Sequence, residues 1–163
     1  MTKEKPVMKI VKIGHKNSKT TVHGQEEKNG DVINMTLESD TPANPEFHTA
    51  LKDLGKYMCD LLGCPAEWKQ THSCTSVSIG YEDDDRINAV VTLYIQLSKF
   101  NNGITVNTPC LREKLPGKGG GGQFMTPKML DLVKEVIDEA QKYYDGDRAQ
   151  LEMPVDEPTG EEP

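Results

Sequence analysis

The hydrophobic period of this chain changes from about two to about 3.6 residues, and it does so twice in the same order, which constrains the fold more than any single motif. Val7 to Ile13 reads Val-Met-Lys-Ile-Val-Lys-Ile, a β-branched alternation that predicts a strand, and Thr20 to His23 predicts a weaker one. The corner Lys28-Asn29-Gly30 leads into Val32 to Leu37. Asn-Gly marks a hairpin because both central residues of the tight turn need positive φ. Asn44-Pro45 then reads as N-cap and first helical residue, with Phe47, Leu51, Leu54, Met58 and Leu61 on one face. Gly63 and Pro65 end the pattern, so a helix is predicted over about 45 to 62.

The order then returns. Ser73 to Tyr81 alternates, Glu82-Asp83-Asp84-Asp85-Arg86 makes a polar corner, and Ile87 to Leu97 forms a long apolar run. Asn102-Gly103 reads as a second hairpin signal into Ile104-Thr105-Val106. Thr126-Pro127 opens a helix with Leu130, Val133, Ile137, Ala140 and Tyr144 on its apolar positions, and Asp145-Gly146 closes it. The expectation is an α+β fold: two antiparallel three-stranded β-meanders, each followed by an amphipathic helix (βββα-βββα). The meanders' apolar faces need those helices as cover. This gives a single layered domain over 1 to 150. From Glu152 the prolines, Gly160 and the acids predict an acidic disordered tail over 151 to 163. The pattern leaves strand order open, and exposed edge strands make a homodimer an expectation.

At 163 residues the chain is long enough for one real core. No run reaches the roughly 18 apolar residues that span a bilayer, and the start Met-Thr-Lys-Glu-Lys-Pro has no apolar signal region, so a soluble cytoplasmic protein without membrane contact is expected. The net charge of -7 is unevenly spread: residues 1 to 23 hold six lysines against Glu4, and residues 145 to 163 hold seven acids against Arg148. A basic end can touch phosphates, and an acidic end can recruit a basic partner.

Between the second set of strands and its helix lies Pro116-Gly117-Lys118-Gly119-Gly120-Gly121-Gly122-Gln123. This is not a P-loop, because Lys118 precedes the glycines and no Lys-Ser/Thr pair enters the helix. A dinucleotide fingerprint also fails, since Leu115-Pro116 replaces the expected strand. What remains is an anion site: Arg112, Lys114, Lys118 and Lys128 with the bare backbone of Gly119, Gly120, Gly121 and Gly122, taking a phosphate ligand or a nucleic-acid backbone. The alternative for the run is a flexible tether.

Other constellations are thinner. Cys59, Cys64, His72 and Cys74 have the donor types of a zinc quartet but lack a close Cys-x-x-Cys knuckle, and reduced thiols in a cytoplasmic core are the simpler reading. Asp83 to Asp85 read as a solvated corner rather than a cation site. Lys9, Lys12, Lys16 and Lys19, with His15 and His23, form a candidate basic face that has no aromatic stacking platform. No nucleophile elbow or catalytic His arrangement is present in the sequence, and no cofactor is implied.

The segment Val106-Asn107-Thr108-Pro109-Cys110-Leu111 and the ending of helix plus acidic tail resemble small uncharacterised accessory proteins of tailed bacteriophages, over the C-terminal third. That resemblance implies no activity and carries over no functional residue. The sequence therefore points to a non-enzymatic intracellular binding protein, possible partners being nucleic acid or a host or phage protein that processes it. One alternative is a protein-interaction module or nucleic-acid mimic acting through acidic surface. Another is an enzyme whose glycine-rich loop closes over a phosphate-bearing substrate.

Overall fold

A computed structural model describes residues 8–82, 85–97, 99–114 and 124–148. The glycines at 119 to 122, Lys118, Asp83, Asp84 and the acidic tail lie outside the described residues. Three strands come first, β1 (Lys9–Lys16), β2 (Lys19–Lys28) and β3 (Asp31–Ser39), followed by α1 (Pro45–Leu61) and a short α2 (Ala66–Thr71). Then follow β4 (His72–Tyr81), β5 (Ile87–Gln96), β6 (Gly103–Asn107), the two-residue β7 (Leu111–Arg112) and α3 (Pro127–Tyr144).

The protein is a mixed α+β fold, but the strands form one seven-stranded antiparallel sheet rather than two separate meanders. Its order is β3-β2-β1-β4-β5-β6, with β7 also paired to β5. The join is β1 against β4, where Ile13 faces Val77 and neither is exposed. Both joining strands carry a bulge. In β1 the register slips between Ile10 and Lys12, and in β4 between Cys74 and Ser76, leaving Val11 and Thr75 as the extra residues. A bulge shifts the alternation by one, so the buried positions fall three apart, Ile10 to Ile13 and Cys74 to Val77. At the first bulge the Tyr81 hydroxyl donates to the Ile10 carbonyl at 2.7 Å.

The helices cover one side of this sheet. Phe47, Ala50, Leu51, Leu54 and Met58 of α1 and Met129, Val133, Val136, Ala140 and Tyr143 of α3 enter a single core with Val22, Val77, Val91 and Leu93. Full burial of each such aliphatic side chain is worth about 1.5–3 kcal/mol. The packing is crossed: α1 lies on β4 and α3 on β1, and the two helices touch one another.

Both helices end as their glycines demand. Gly63 (φ +71°) and Gly146 (φ +102°) take the left-handed conformation. Cys64 N donates to Cys59 O and Asp147 N to Lys142 O, both at 2.9 Å, the wide loop of the Schellman motif. The starts differ from each other. Thr126 Oγ1 accepts from Met129 N at 3.1 Å, whereas the side chain of Asn44 makes no cap bond and instead donates to Asp147, beyond α3.

The β5–β6 connection also departs from the sequence expectation. Asn102-Gly103 is not the turn, because Gly103 already pairs with Gln96 and lacks positive φ. Glycine is needed there for space: a Cβ would run into the Ile95 carbonyl and come within 2.7 Å of Tyr94 Cζ. Conversely Asn17-Ser18, with no glycine, makes a two-residue hairpin at φ 54° and 64°. Between β6 and β7, buried Thr108 takes the place of a ladder partner, accepting from Val91 N through Oγ1 and donating its own N–H to Val91 O.

Candidate binding face

Because both long helices pack on one side, neither lies over the other side of the sheet. Which residues occupy that side follows from register. Thr20, Val22 and Gly24 are buried toward the helices, so Lys19, Thr21, His23, Gln25 and Glu27 of β2 point the other way. Paired residues share a face. Lys9, Lys12, Gly14 and Lys16 of β1 therefore join them, opposite Gln25, His23, Thr21 and Lys19 respectively.

The face can be read in rows across the strands. One runs Glu38, Thr21, Gly14, Ser76, Thr92, Asn107 and crosses all six strands. The next runs Thr36, His23, Lys12, Ser78, Val90. These short polar groups pair laterally: His23 Nδ1 with Thr36 Oγ1 at 3.0 Å, Gln25 Nε2 to Asn34 Oδ1 at 3.1 Å, and Thr92 Oγ1 to Asn107 Oδ1 at 2.7 Å. The result is a flat surface of hydroxyls and amides, and Gly14 at its centre has ordinary space around it. Tyr94 is also on this side, and its hydroxyl accepts from Gly103 N at 2.7 Å.

Charge is concentrated at the β1–β2 end. Lys9, Lys12, Lys16 and Lys19 stand on the face against Glu27 and Glu38. Lys19 reaches Glu38 at 3.4 Å and Lys9 reaches Asp85 at 3.0 Å, both exposed pairs of small energetic value. Lys12 and Lys16 have no salt bridge among the described residues. A cleft of about 610 Å³ opens beside Lys9, lined also by Val11, Gln25, Glu27 and Tyr81.

His15 does not belong to this face. It pairs with Thr20 on the helix side, where its Nδ1 meets Thr20 Oγ1 at 3.0 Å and its ring lies edge-on to His48 at 5.0 Å. Burial, with His48 adding to it, holds the His15 imidazole below its ordinary value of 6.5. It packs edge-on against Phe47 and His48 instead of facing solvent with the lysines.

Of the anion site expected around the glycine run, Arg112, Lys114 and Lys128 are among the described residues. Ala89 and Leu111 pair and are buried, so the adjacent pair Asn88 and Arg112 lies on the open side. Lys128 is instead in the helical layer, its Nζ 5.6 Å from the centre of the Tyr57 ring. Lys114 is exposed. The α3 N-terminus is occupied by its own chain, Thr126 capping Met129 N and meeting the Tyr57 hydroxyl at 2.5 Å. The residues flanking the glycine run are tied together, with Arg112 bridged to Phe124 and Met125 N donating to Arg112 O at 2.8 Å.

The candidate zinc quartet separates in two. Cys59 and Cys64 meet at the end of α1, while His72 and Cys74 press on Gly55, one helical turn earlier. His72 Nδ1 donates to the Lys69 carbonyl at 2.6 Å, and Nε2 is buried with no hydrogen-bond partner among the described residues. Among the described residues no group of three His, Cys, Asp or Glu side chains is placed to hold a metal ion. Likewise, no described helix is long and apolar enough to cross a membrane.

Sequence reasoning collected the lysines of β1 and β2 but missed the Ser, Thr and Asn residues that share their face. Those residues carry no signal of their own, and only strand register brings them together. Comparison with protein families, characterised proteins and solved structures finds no match to this chain.

Proposed function

We propose that this is a non-enzymatic binding protein that holds nucleic acid by its phosphates across the open face of the sheet. The observation that supports this is the sign of that face: in a chain of net charge -7, the strands place Lys9, Lys12, Lys16, Lys19 and Arg112 on it against Glu27 and Glu38, with Asp85 at its edge paired to Lys9. Opposed charge within one molecule steers a polyanion to one side and keeps it off the rest. Hydroxyl and amide side chains complement phosphate and sugar oxygens without reading sequence. Arg112, one of the cations expected to act with the glycine run, is on this face and joins the same reading.

Titrating labelled single- and double-stranded DNA and RNA at low salt, followed by fluorescence anisotropy, tests it. The expected result is binding that weakens steeply with added salt. A Lys12→Glu/Lys16→Glu variant is expected to bind at least about tenfold more weakly, and replacing either lysine alone by alanine should flatten the salt slope by about one unit. Absence of binding to all these ligands at low salt would sink the proposal.

A further inference from the structure

The segment Cys59-Asp60-Leu61-Leu62-Gly63-Cys64 places its two cysteines at the positions that a Schellman motif brings together. Gly63 takes φ +71°, Gly63 N donates to Asp60 O at 3.1 Å, and Cys64 N donates to Cys59 O at 2.9 Å. Contact between those two side chains commonly accompanies the motif, and it is usually apolar. Here both are thiols, and they adjoin one another. They differ in access, since Cys59 is 0% exposed beneath the helical layer while Cys64 is partly exposed.

We propose that Cys59 and Cys64 form a reversible dithiol–disulfide pair, oxidised by a small-molecule disulfide of the glutathione class. Cys64, the accessible thiol, attacks as thiolate on the disulfide RSSR; a Cys64 S–S bond forms and RS⁻ leaves. Cys59, as thiolate, then attacks the Cys64 sulfur; the intramolecular bond forms and the second RS⁻ leaves. Two protein thiols are oxidised, one RSSR is reduced to two RSH, and the two protons pass to the solvent and thiolates. Excess RSH reverses both steps. Burial pushes the Cys59 thiol up to about 11, with the Cys64 thiol and the Asp60 carboxylate adding to it and Lys69 opposing, so the closing step is slow at neutral pH. Its rate is expected to rise about tenfold per pH unit until that range is reached.

The test uses the folded full chain carrying Cys110→Ser, which removes the exposed thiol. The protein is incubated without denaturant in glutathione disulfide at pH 7, 8 and 9, then acid-quenched, denatured, alkylated and digested with trypsin. Cys59 and Cys64 fall in one tryptic peptide, residues 57 to 69. The expected product is that peptide, two hydrogens lighter and without alkyl groups, forming about tenfold faster per pH unit and disappearing on addition of reduced glutathione. Cys64→Ser should leave Cys59 fully alkylatable. A glutathione adduct on Cys64 with Cys59 still reduced even at pH 9, a link to Cys74 instead, or alkylation of both cysteines at every pH would each overturn the pair.

Discussion

Two strand glycines, Gly103 in β6 and Gly14 in β1, show how much a single Cβ decides. At Gly103 the added carbon would meet the Ile95 backbone and the Tyr94 ring, neither of which can yield cheaply in the β5–β6 ladder. Gly103→Ala is therefore expected to destabilise the protein by about 1–3 kcal/mol. At Gly14, in the middle of the open face, the nearest atoms to such a carbon are 3.8 Å away. There Gly14→Ala should be neutral or stabilising by up to about 1 kcal/mol, through lost freedom of the unfolded chain. Urea denaturation of the two variants side by side checks both, and equal costs would contradict the close approach at Gly103. The sequence marks both residues only as glycine. It cannot tell the one that makes room from the one that merely has it.

Among the elements, α1 and α3 were the most legible, because proline at the first turn, a left-handed glycine at the end and a 3.6-residue apolar stripe agree locally. Their bounds, Pro45–Leu61 and Pro127–Tyr144, follow those signals closely. The caps were less legible, since Asn44 and Thr126 look alike in sequence but only Thr126 bonds its own helix. Thr126→Ala is expected to cost about 1 kcal/mol or more, as it also removes the partner of the Tyr57 hydroxyl. Asn44→Ala should cost less than half as much in thermal or urea unfolding. The reverse ranking would show that the tie to Asp147 matters more than the cap. The short α2 and β7 had no periodic signal, being shorter than the windows in which a period can be recognised.

For the whole molecule, the governing fact is that the two halves do not fold around themselves. Strand β1 pairs with β4, α1 lies on β4, and α3 lies on β1, so each half supplies cover or pairing to the other. Fragments 1–64 and 65–163 expressed separately are thus expected to show no cooperative unfolding transition, since each leaves a long strand edge and an apolar helix face uncovered. A sigmoidal denaturation curve for either fragment alone would show that the halves are independent domains. The same interlock creates the candidate site, because pairing β1 with β4 extends the basic end contributed by β1 and β2 into the uncharged carpet of Ser76, Ser78, Thr92 and Asn107.

By itself the sequence determined the identity and order of the longer elements, since turn glycines, N-terminal prolines and apolar periods act over a few residues. It also carried Lys12 and Lys16 as neighbours on one side of β1, because alternation keeps residues four apart together, whereas Lys9 joins them only through the bulge at Val11. Only the tertiary structure decided that the six longer strands make one sheet, that both long helices choose the same side, and that Arg112 faces with the lysines while Lys128 does not. Those outcomes depend on β1–β4 pairing and on two bulges that reset which residues point inward. Such pairing joins residues more than sixty positions apart, a distance at which local propensity has no influence.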